Sequence, residues 1–187
     1  YNYVNPSNPN YISSGDGKHI EIRSSSVVEV SGNIFHDNSI ATYRVIYLYD
    51  CYLSKIVNNK IYNNQIEYPK DYRGLIYIYS YGGGELKNNE IYDNYCLYTN
   101  DANSLIYIEQ TSAGITFSRN LHYNNHNLTG FYFASYNNTY NHLVVNNTID
   151  NNRNGIVWNY WSYGITAKNN SVTNNDYNGF TLSTSNN

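Results

Sequence analysis

The chain has 187 residues, of which only 13% are charged, and it contains 24 tyrosines and no methionine. Its formal net charge is −3 and its 11 basic residues are scattered, which argues against nucleic-acid binding. No run approaches the roughly 20 apolar residues of a membrane span, and no signal peptide is visible. Because the chain begins at Tyr1 rather than Met, we expect that a leader was removed or that it is part of a longer protein.

Residues 1–19 begin with a stretch rich in Asn, Pro and Tyr. We interpret them as an extended arm, or as the entry to the repeats that follow, and we see no capping helix in them. Residues 20–187 are long enough to bury a core and are predicted to form one domain.

From residue 30 onward a nine-residue phrase returns six times. It reads apolar, two variable residues, Asn, one variable residue, apolar or His, one variable residue, Asp or Asn, and Asn. Its first Asn recurs after 26, 30, 31, 27 and 23 residues. This period, with short apolar runs and no helical spacing, predicts stacked coils of short strands. The copies are residues 30–38, 56–64, 86–94, 117–125, 144–152 and 167–175.

The asparagines of the phrase are predicted to have a structural role. Neighbouring coils of such a stack lie about 4.8 Å apart, so equivalent residues come into register. Stacked Asn side chains can bond amide to amide, and Asn tolerates the positive φ of a bend. The first ladder is predicted at Asn33, Asn59, Asn89, Asn120, Asn147 and Asn170, and the second at Asn38, Asn64, Asn94, Asn125, Asn152 and Asn175.

The longest insertions, residues 65–74 and 95–104, separate two of the phrases from the apolar strand that follows each of them. Insertions of this kind form loops, and these two are expected to lie side by side. Their polar residues could line a small charged site, although solvated loop side chains are the favoured interpretation. The residues concerned are Glu67, Lys70, Asp71, Arg73, Asp101 and Asn103.

The phrase resembles the coils of right-handed parallel β-helix repeats of the pectin-lyase-like superfamily, which read apolar, two variable, Asn, variable, apolar. The resemblance covers roughly residues 20–187. It implies an all-β fold, a right-handed parallel β-helix (β-solenoid) of about seven coils. Superfamily members include polysaccharide lyases, glycoside hydrolases, phage tailspikes and copper-maturation proteins of the NosD type, so the fold alone does not give the function.

No catalytic residue is predicted. The polygalacturonase-like segments Asn-Thr-Asp, Asp-Asp, Gly-His-Gly and Arg-Ile-Lys are absent from the sequence. Asp37 and Asp93 share one column of the repeat, two coils and about 10 Å apart, with Asn63 between them. We interpret both as bend formers rather than as the paired carboxylates of a glycosidase. The sequence therefore leans against an enzyme.

No metal site or cofactor is predicted either, because His36, His122, His126 and His142 share no metal-ligand spacing. His122 falls in a mainly apolar column and is expected to be a hydrogen-bonded core histidine.

The two cysteines, Cys51 and Cys96, occupy different places in their repeats. Both a disulfide and a free buried pair remain open.

Two aromatic columns are predicted. The first is Tyr62, Tyr92 and Tyr123, which hold one outward place in three successive coils. The second runs through strands that are apolar throughout, so its side stays undecided. Exposed rings suit stacking on sugars or packing against another subunit. The members assigned to the second column are Tyr47, Tyr77, Tyr107, Phe133, Trp158 and Leu182.

The predicted function is a non-enzymatic, extracellular or cell-surface structural β-helix, which either self-assembles head to tail into a filament or serves as an adhesin stalk. Uncovered strand edges at both ends and possible N-glycosylation support this prediction. Its partners would be other copies of the chain, glycans, or both. The main alternative is a carbohydrate-active lyase, hydrolase or sugar-binding module, and a NosD-type copper protein ranks last. The four acceptor sequons are at Asn127, Asn137, Asn146 and Asn169.

Overall fold

The computed structural model describes residues 3–4, 20–40, 44–66, 74–79, 82–99, 103–109, 111, 113–134, 139–159 and 162–183, and these residues contain strands and bends but no helix. The strands in chain order are β1 (Tyr3–Val4), β2 (Ile20–Arg23), β3 (Glu29–Ser31), β4 (Ile34–His36), β5 (Ser39–Ile40), β6 (Ile46–Tyr49), β7 (Ser54–Val57), β8 (Lys60–Tyr62), β9 (Gln65–Ile66), β10 (Gly74–Tyr79), β11 (Gly84–Lys87), β12 (Glu90–Tyr92), β13 (Tyr95–Cys96), β14 (Ser104–Glu109), β15 (Ile115–Ser118), β16 (Leu121–Ala134), β17 (Thr139–Tyr140), β18 (Leu143–Val145), β19 (Thr148–Asn159), β20 (Ser162–Tyr163), β21 (Thr166–Lys168), β22 (Ser171–Thr173) and β23 (Phe180–Ser183).

The strands stack into three parallel faces around one core, as a β-solenoid requires. The first face is β3, β7, β11, β15, β18 and β21, and the second is β4, β8, β12, the start of β16, the start of β19, and β22. The third face is β2, β6, β10, β14, the end of β16, the end of β19, and β23. In the fourth and fifth coils one long strand supplies both the second and third faces.

Side chains alternate across each face, which places one apolar column inward and one column outward. On the third face Ile46, Ile76 and Ile106 are fully buried in the main core, and Phe131 and Ile156 continue their column. At about 25 cal/mol per Å² of apolar surface, such columns supply most of the stabilisation of the rod.

Both predicted asparagine ladders are present. In the first ladder each side-chain amide donates to the Oδ1 of the next Asn over 2.9–3.0 Å. In the second ladder the first four pairs are linked in this way over 2.8–2.9 Å, and the backbone N–H of Asn152 donates to Asn175 Oδ1 over 3.0 Å. The ladders therefore join all six phrases.

The bends use positive φ, and Asp37 and Asp93 have it, as predicted for these two bend formers. For the ladder asparagines the expectation of positive φ was wrong. The residue before each ladder Asn, not the ladder Asn itself, adopts this conformation. The ladder Asn instead turns its side chain inward to bond along the stack. The positions before the first ladder are Gly32, Asn58, Asn88, Arg119, Asn146 and Asn169, and those before the second are Asp37, Asn63, Asp93, Asn124, Asn151 and Asn174.

The two ends of the described stack differ. β1 pairs antiparallel with β3, with Tyr3 opposite Ser31, and so covers an edge that the sequence analysis left open. At the other end β21, β22 and β23 each have a strand partner on one side only among the described residues.

The described residues form about six coils, slightly fewer than the seven predicted, because the first and second faces have six parallel strands each and only the third has seven. Within the same residues no helix is long and apolar enough to cross a membrane.

Candidate functional site

The most organised outer surface is an aromatic column on the second face. Tyr62 stacks on Tyr92 with ring centroids 4.9 Å apart, and Tyr92 stacks on Tyr123 at the same distance, with interplanar angles of 8° and 1°. His36 adds a fourth ring, 5.0 Å from Tyr62. The sequence analysis missed His36, although it holds the same place in its phrase as the three tyrosines.

Stacking of this kind occupies the ring faces and leaves the ring edges and hydroxyl groups for solvent. A sugar stacks on the face of an aromatic ring, and the faces of Tyr92 are both covered by its neighbours. The column therefore serves better as a stabilising ladder than as the sugar platform that the sequence suggested.

The carboxylate of Glu90 lies beside the part of the column that contains Tyr123. Glu90 accepts a hydrogen bond from the Tyr123 hydroxyl over 3.3 Å and forms an ion pair of 2.9 Å with Lys60. Desolvation and the Glu90 charge raise the pKa of Tyr123 to about 12, and desolvation also raises the pKa of Tyr92. These tyrosines stay protonated at neutral pH and can donate hydrogen bonds.

A shallow groove of about 500 Å³ follows the bend next to the column, where Asp37, Asn63 and Asp93 have φ values of 55°, 53° and 52°. The Asp37 carboxylate accepts from Asn63 and contacts His36 Nδ1 at 2.5 Å, and these two hydrogen bonds lower its pKa. The groove can offer acceptors and amides to a polar ligand. Its lining residues are Asp37, Asn38, Asn63, Asn64, Gln65, Asp93 and Tyr95.

Tyr95, which lines the groove, also stacks on His126 with ring centroids 5.2 Å apart. Among the described residues, no group of three or more His, Cys, Asp and Glu side chains is arranged to hold a metal ion.

The last three members of the second predicted column, Phe133, Trp158 and Leu182, were assigned to the wrong side of their strands. Tyr107 pairs with Tyr132, not with Phe133, and Phe133, Trp158 and Leu182 belong to an inward column. The error arose because residues 131–133 are all aromatic, so only the packing of Phe131 and Phe133 into the core fixes the strand phase.

The corrected column points out of the main core but is still buried. Tyr47, Tyr77, Tyr107 and Tyr132 are at most 7% exposed and form a separate apolar cluster. Arg44 lies over the rings of Tyr47 and Tyr77 at 4.4 and 4.7 Å. This column is therefore not the exposed sticky strip considered from the sequence.

His122 is in the core, but the expectation that it is hydrogen-bonded was wrong. Neither ring nitrogen has a hydrogen-bond partner among the described residues, and burial lowers its pKa to about 3. His142 is also buried, yet its Nδ1 accepts from the backbone N–H of Ile115 over 3.0 Å. Its pKa is lowered to about 4 by burial.

Cys51 and Cys96 are buried thiols that are not joined in a disulfide, and burial raises the pKa of each thiol. Asn103, considered above for a loop site, is also buried and donates to the Tyr98 carbonyl over 2.8 Å, so it closes its own loop. The other loop candidates, Glu67, Lys70, Asp71, Arg73 and Asp101, lie outside the described residues.

The sequon asparagines differ in accessibility. Asn146 and Asn169 are exposed at positive-φ bends on neighbouring rungs. Asn127 is half-buried and donates its amide to the Cys96 carbonyl over 2.9 Å. Asn137 lies outside the described residues.

The parallel faces, the continuous core and the paired ladders define a β-solenoid. A family model described as right handed beta helix region matches residues 8–120 and again 70–187, so the chain belongs to that family. The predicted fold is thereby confirmed, and the wider resemblance to the pectin-lyase-like superfamily is consistent with it. No curated protein and no solved structure matched the chain.

Proposed function

We propose that this chain is a rigid structural rod of the cell surface or extracellular space that joins end to end into longer assemblies. The observation that carries the proposal is the unbroken pair of hydrogen-bonded asparagine ladders through six in-register coils. Each ladder residue between the two ends of the stack is fixed by partners in the coils on both sides of it. Bending the rod would stretch these bonds in a dry interior, where an unmade hydrogen bond is costly.

The last described coil provides a surface for joining. Its strands have one free edge among the described residues, and Tyr177, Phe180 and Leu182 are 66%, 49% and 67% exposed. Phe180 follows the buried Ile156 in its column, and Leu182 follows the half-buried Trp158. Burying such residues against another copy stabilises the joint by about 25 cal/mol per Å² of apolar surface removed from water.

Head-to-tail joining would pair this coil with the opposite end of another copy. There, β2 and β4 each have a single strand partner within the described part of the chain, whereas the outer edge of β3 is occupied by β1. Two of the three faces can therefore continue across the joint by main-chain pairing, as in β-strand addition.

The assembly is tested with Leu182→Lys, which places a charge on the open coil. Light scattering of the wild-type chain is expected to give a mass that rises with concentration, and electron microscopy should show rods. Six stacked rungs predict a repeat of about 29 Å. Leu182→Lys should stay monomeric.

The matched control is Leu97→Lys, because Leu97 is 44% exposed but lies on a bend in the third coil, away from both ends of the rod. It should assemble like the wild type. A wild-type chain that remains monomeric at all concentrations, or equal loss in both variants, would contradict end-to-end assembly through the last coil.

The proposed location is supported by the exposed sequon residues Asn146 and Asn169. Glycopeptide mapping of the native protein should find glycans on these two residues and none on Asn127, whose amide is engaged. Unmodified Asn146 and Asn169 would remove this support.

Sugar binding is the second candidate, favoured by the groove of about 500 Å³ beside Asp37, Asp93 and Tyr95. A glycan array should detect binding that Tyr95→Ala abolishes and Tyr52→Ala preserves, since Tyr52 is exposed but does not line the groove. If no glycan on the array binds, sugar binding is contradicted and the structural role is the one candidate left.

A further inference from the structure

Two buried histidines flank one group of phenylalanine rings in the fourth and fifth coils. His122 lies 4.7 Å from Phe131, and His142 lies 5.5 Å from Phe133, measured between ring centroids. Phe117 packs edge-on to both phenylalanines at 5.5 and 5.4 Å. We call these five residues the His–Phe cluster. The other described histidines, His36 and His126, are exposed.

His122 has no group nearby that could stabilise a charge. Its rung neighbours in the inward column are Ile91 and Ile149, and both ring nitrogens lack hydrogen-bond partners among the described residues. The ionisable groups on the strands packed against it are on outward positions, because side chains alternate along a strand. They are Glu90 and Tyr92 on β12, Tyr123, His126 and Tyr132 on β16, and Asp150 and Arg153 on β19.

His142 is satisfied only as the neutral ring. Because Nδ1 accepts the Ile115 N–H, the proton must be on Nε2, which is 3.1 Å from Thr111 Oγ1. A second proton on Nδ1 would place two donors against each other. The one ionisable side chain on β15, β18 and β21, the strands of the adjoining face, is Lys168, and it is exposed.

We propose that the His–Phe cluster is an acid-sensitive weak point of the rod, at which protonation opens the fourth and fifth coils while the coils before them stay folded. A solenoid permits this local response because each coil contacts only its neighbours. The Asn ladders carry no ionisable group, so acid acts on the cluster and not on them.

The pH window follows from the histidines. The unfolded chain binds a proton on each near pH 6.5, whereas the folded chain resists protonation until the pKa values of about 3 and 4. The contribution of the neutral histidines to the free energy of unfolding is therefore fully present above pH 6.5, and it is lost as the pH falls toward the folded pKa values. From pH 7 to pH 5, the opening constant should rise about 20-fold for each imidazole and roughly 500-fold for both.

Hydrogen exchange read by mass spectrometry, corrected for intrinsic rates, tests this on the full chain. At pH 5 the amides of residues 115–134 and 142–159 should lose protection by roughly 500-fold relative to pH 7. Those of β6, β7, β8 and β10 should not change. Uniform loss along the rod, or no loss in the fourth and fifth coils, would overturn the proposal.

His122→Ile isolates one imidazole, since isoleucine already occupies the rungs on either side. In this variant the opening constant should rise only about 20-fold over the same pH range. His142→Asn, which retains an acceptor for the Ile115 N–H, should give a similar reduction independently. His126→Ile, the same substitution on the exposed side of β16, should keep the full response, and a response in His122→Ile equal to that of the wild type would refute the assignment.

Discussion

Each ladder asparagine between the ends of the stack supplies several hydrogen bonds to polar groups that would otherwise be buried at the bend without a partner. Asn89 donates to Asn120 Oδ1 over 2.9 Å and to the Ile56 carbonyl over 2.8 Å. Its own Oδ1 accepts from both the backbone and the side chain of Asn59. One buried side chain thus satisfies groups in the two coils on either side of its own, which explains why Asn is needed at this position of the phrase.

Asn89→Ala should therefore destabilise the rod strongly. It leaves the Asn59 donors and the Ile56 carbonyl buried without this partner, and a cost of about 2–4 kcal/mol is expected. Urea unfolding measures the change. The control is Asn88→Gly, which tolerates the positive φ of the same bend and removes only an exposed bond to Asn58. A cost below that of the control would contradict the structural role of the ladder.

At the scale of the strand, the outer aromatic column behaves as a cross-strand interaction repeated along the stack. Tyr92 is its centre, with a ring 4.9 Å away on each side. Cross-strand aromatic pairs each contribute roughly 0.2–1 kcal/mol relative to alanine. The hydroxyl group is secondary, because the ring supplies the stacked surface.

Tyr92→Ala should lower the free energy of unfolding by about 0.4–2 kcal/mol, since two ring contacts are lost. Tyr92→Phe keeps both contacts and should unfold close to the wild type. Thermal and urea unfolding of the two variants compare the ring with the hydroxyl. Equal losses in both would assign the stabilisation to the hydroxyl group.

At the scale of the whole molecule, stability should vary along the rod. The middle coils are covered on both sides, whereas the last described coil is covered on one. Amides on a free strand edge open with little loss of buried surface. The least protected strands of the three faces should therefore be those with one described partner, β21, β22 and β23 at one end and β2 and β4 at the other.

Hydrogen exchange at neutral pH as a function of protein concentration tests both the gradient and the assembly. In dilute protein, β22 and β23 should exchange faster than β10 and β14. Raising the concentration should protect β22 and β23 if copies join there, and Leu182→Lys should abolish that protection. Protection that does not depend on concentration would contradict joining at this coil.

The nine-residue phrase by itself determined the solenoid, the two ladders and the Tyr62, Tyr92 and Tyr123 column, because a side chain's place in a regular coil follows from its place in the repeat. Tertiary structure decided the phase of the third face, where Phe131, Tyr132 and Phe133 suit either side and only core packing selects Tyr132 for the outside. It also decided that His122 has no hydrogen-bond partner among the described residues, since a partner depends on what neighbouring coils bring close. The register of a side chain in the stack follows from the local repeat, whereas its burial and its charge state depend on the assembled core.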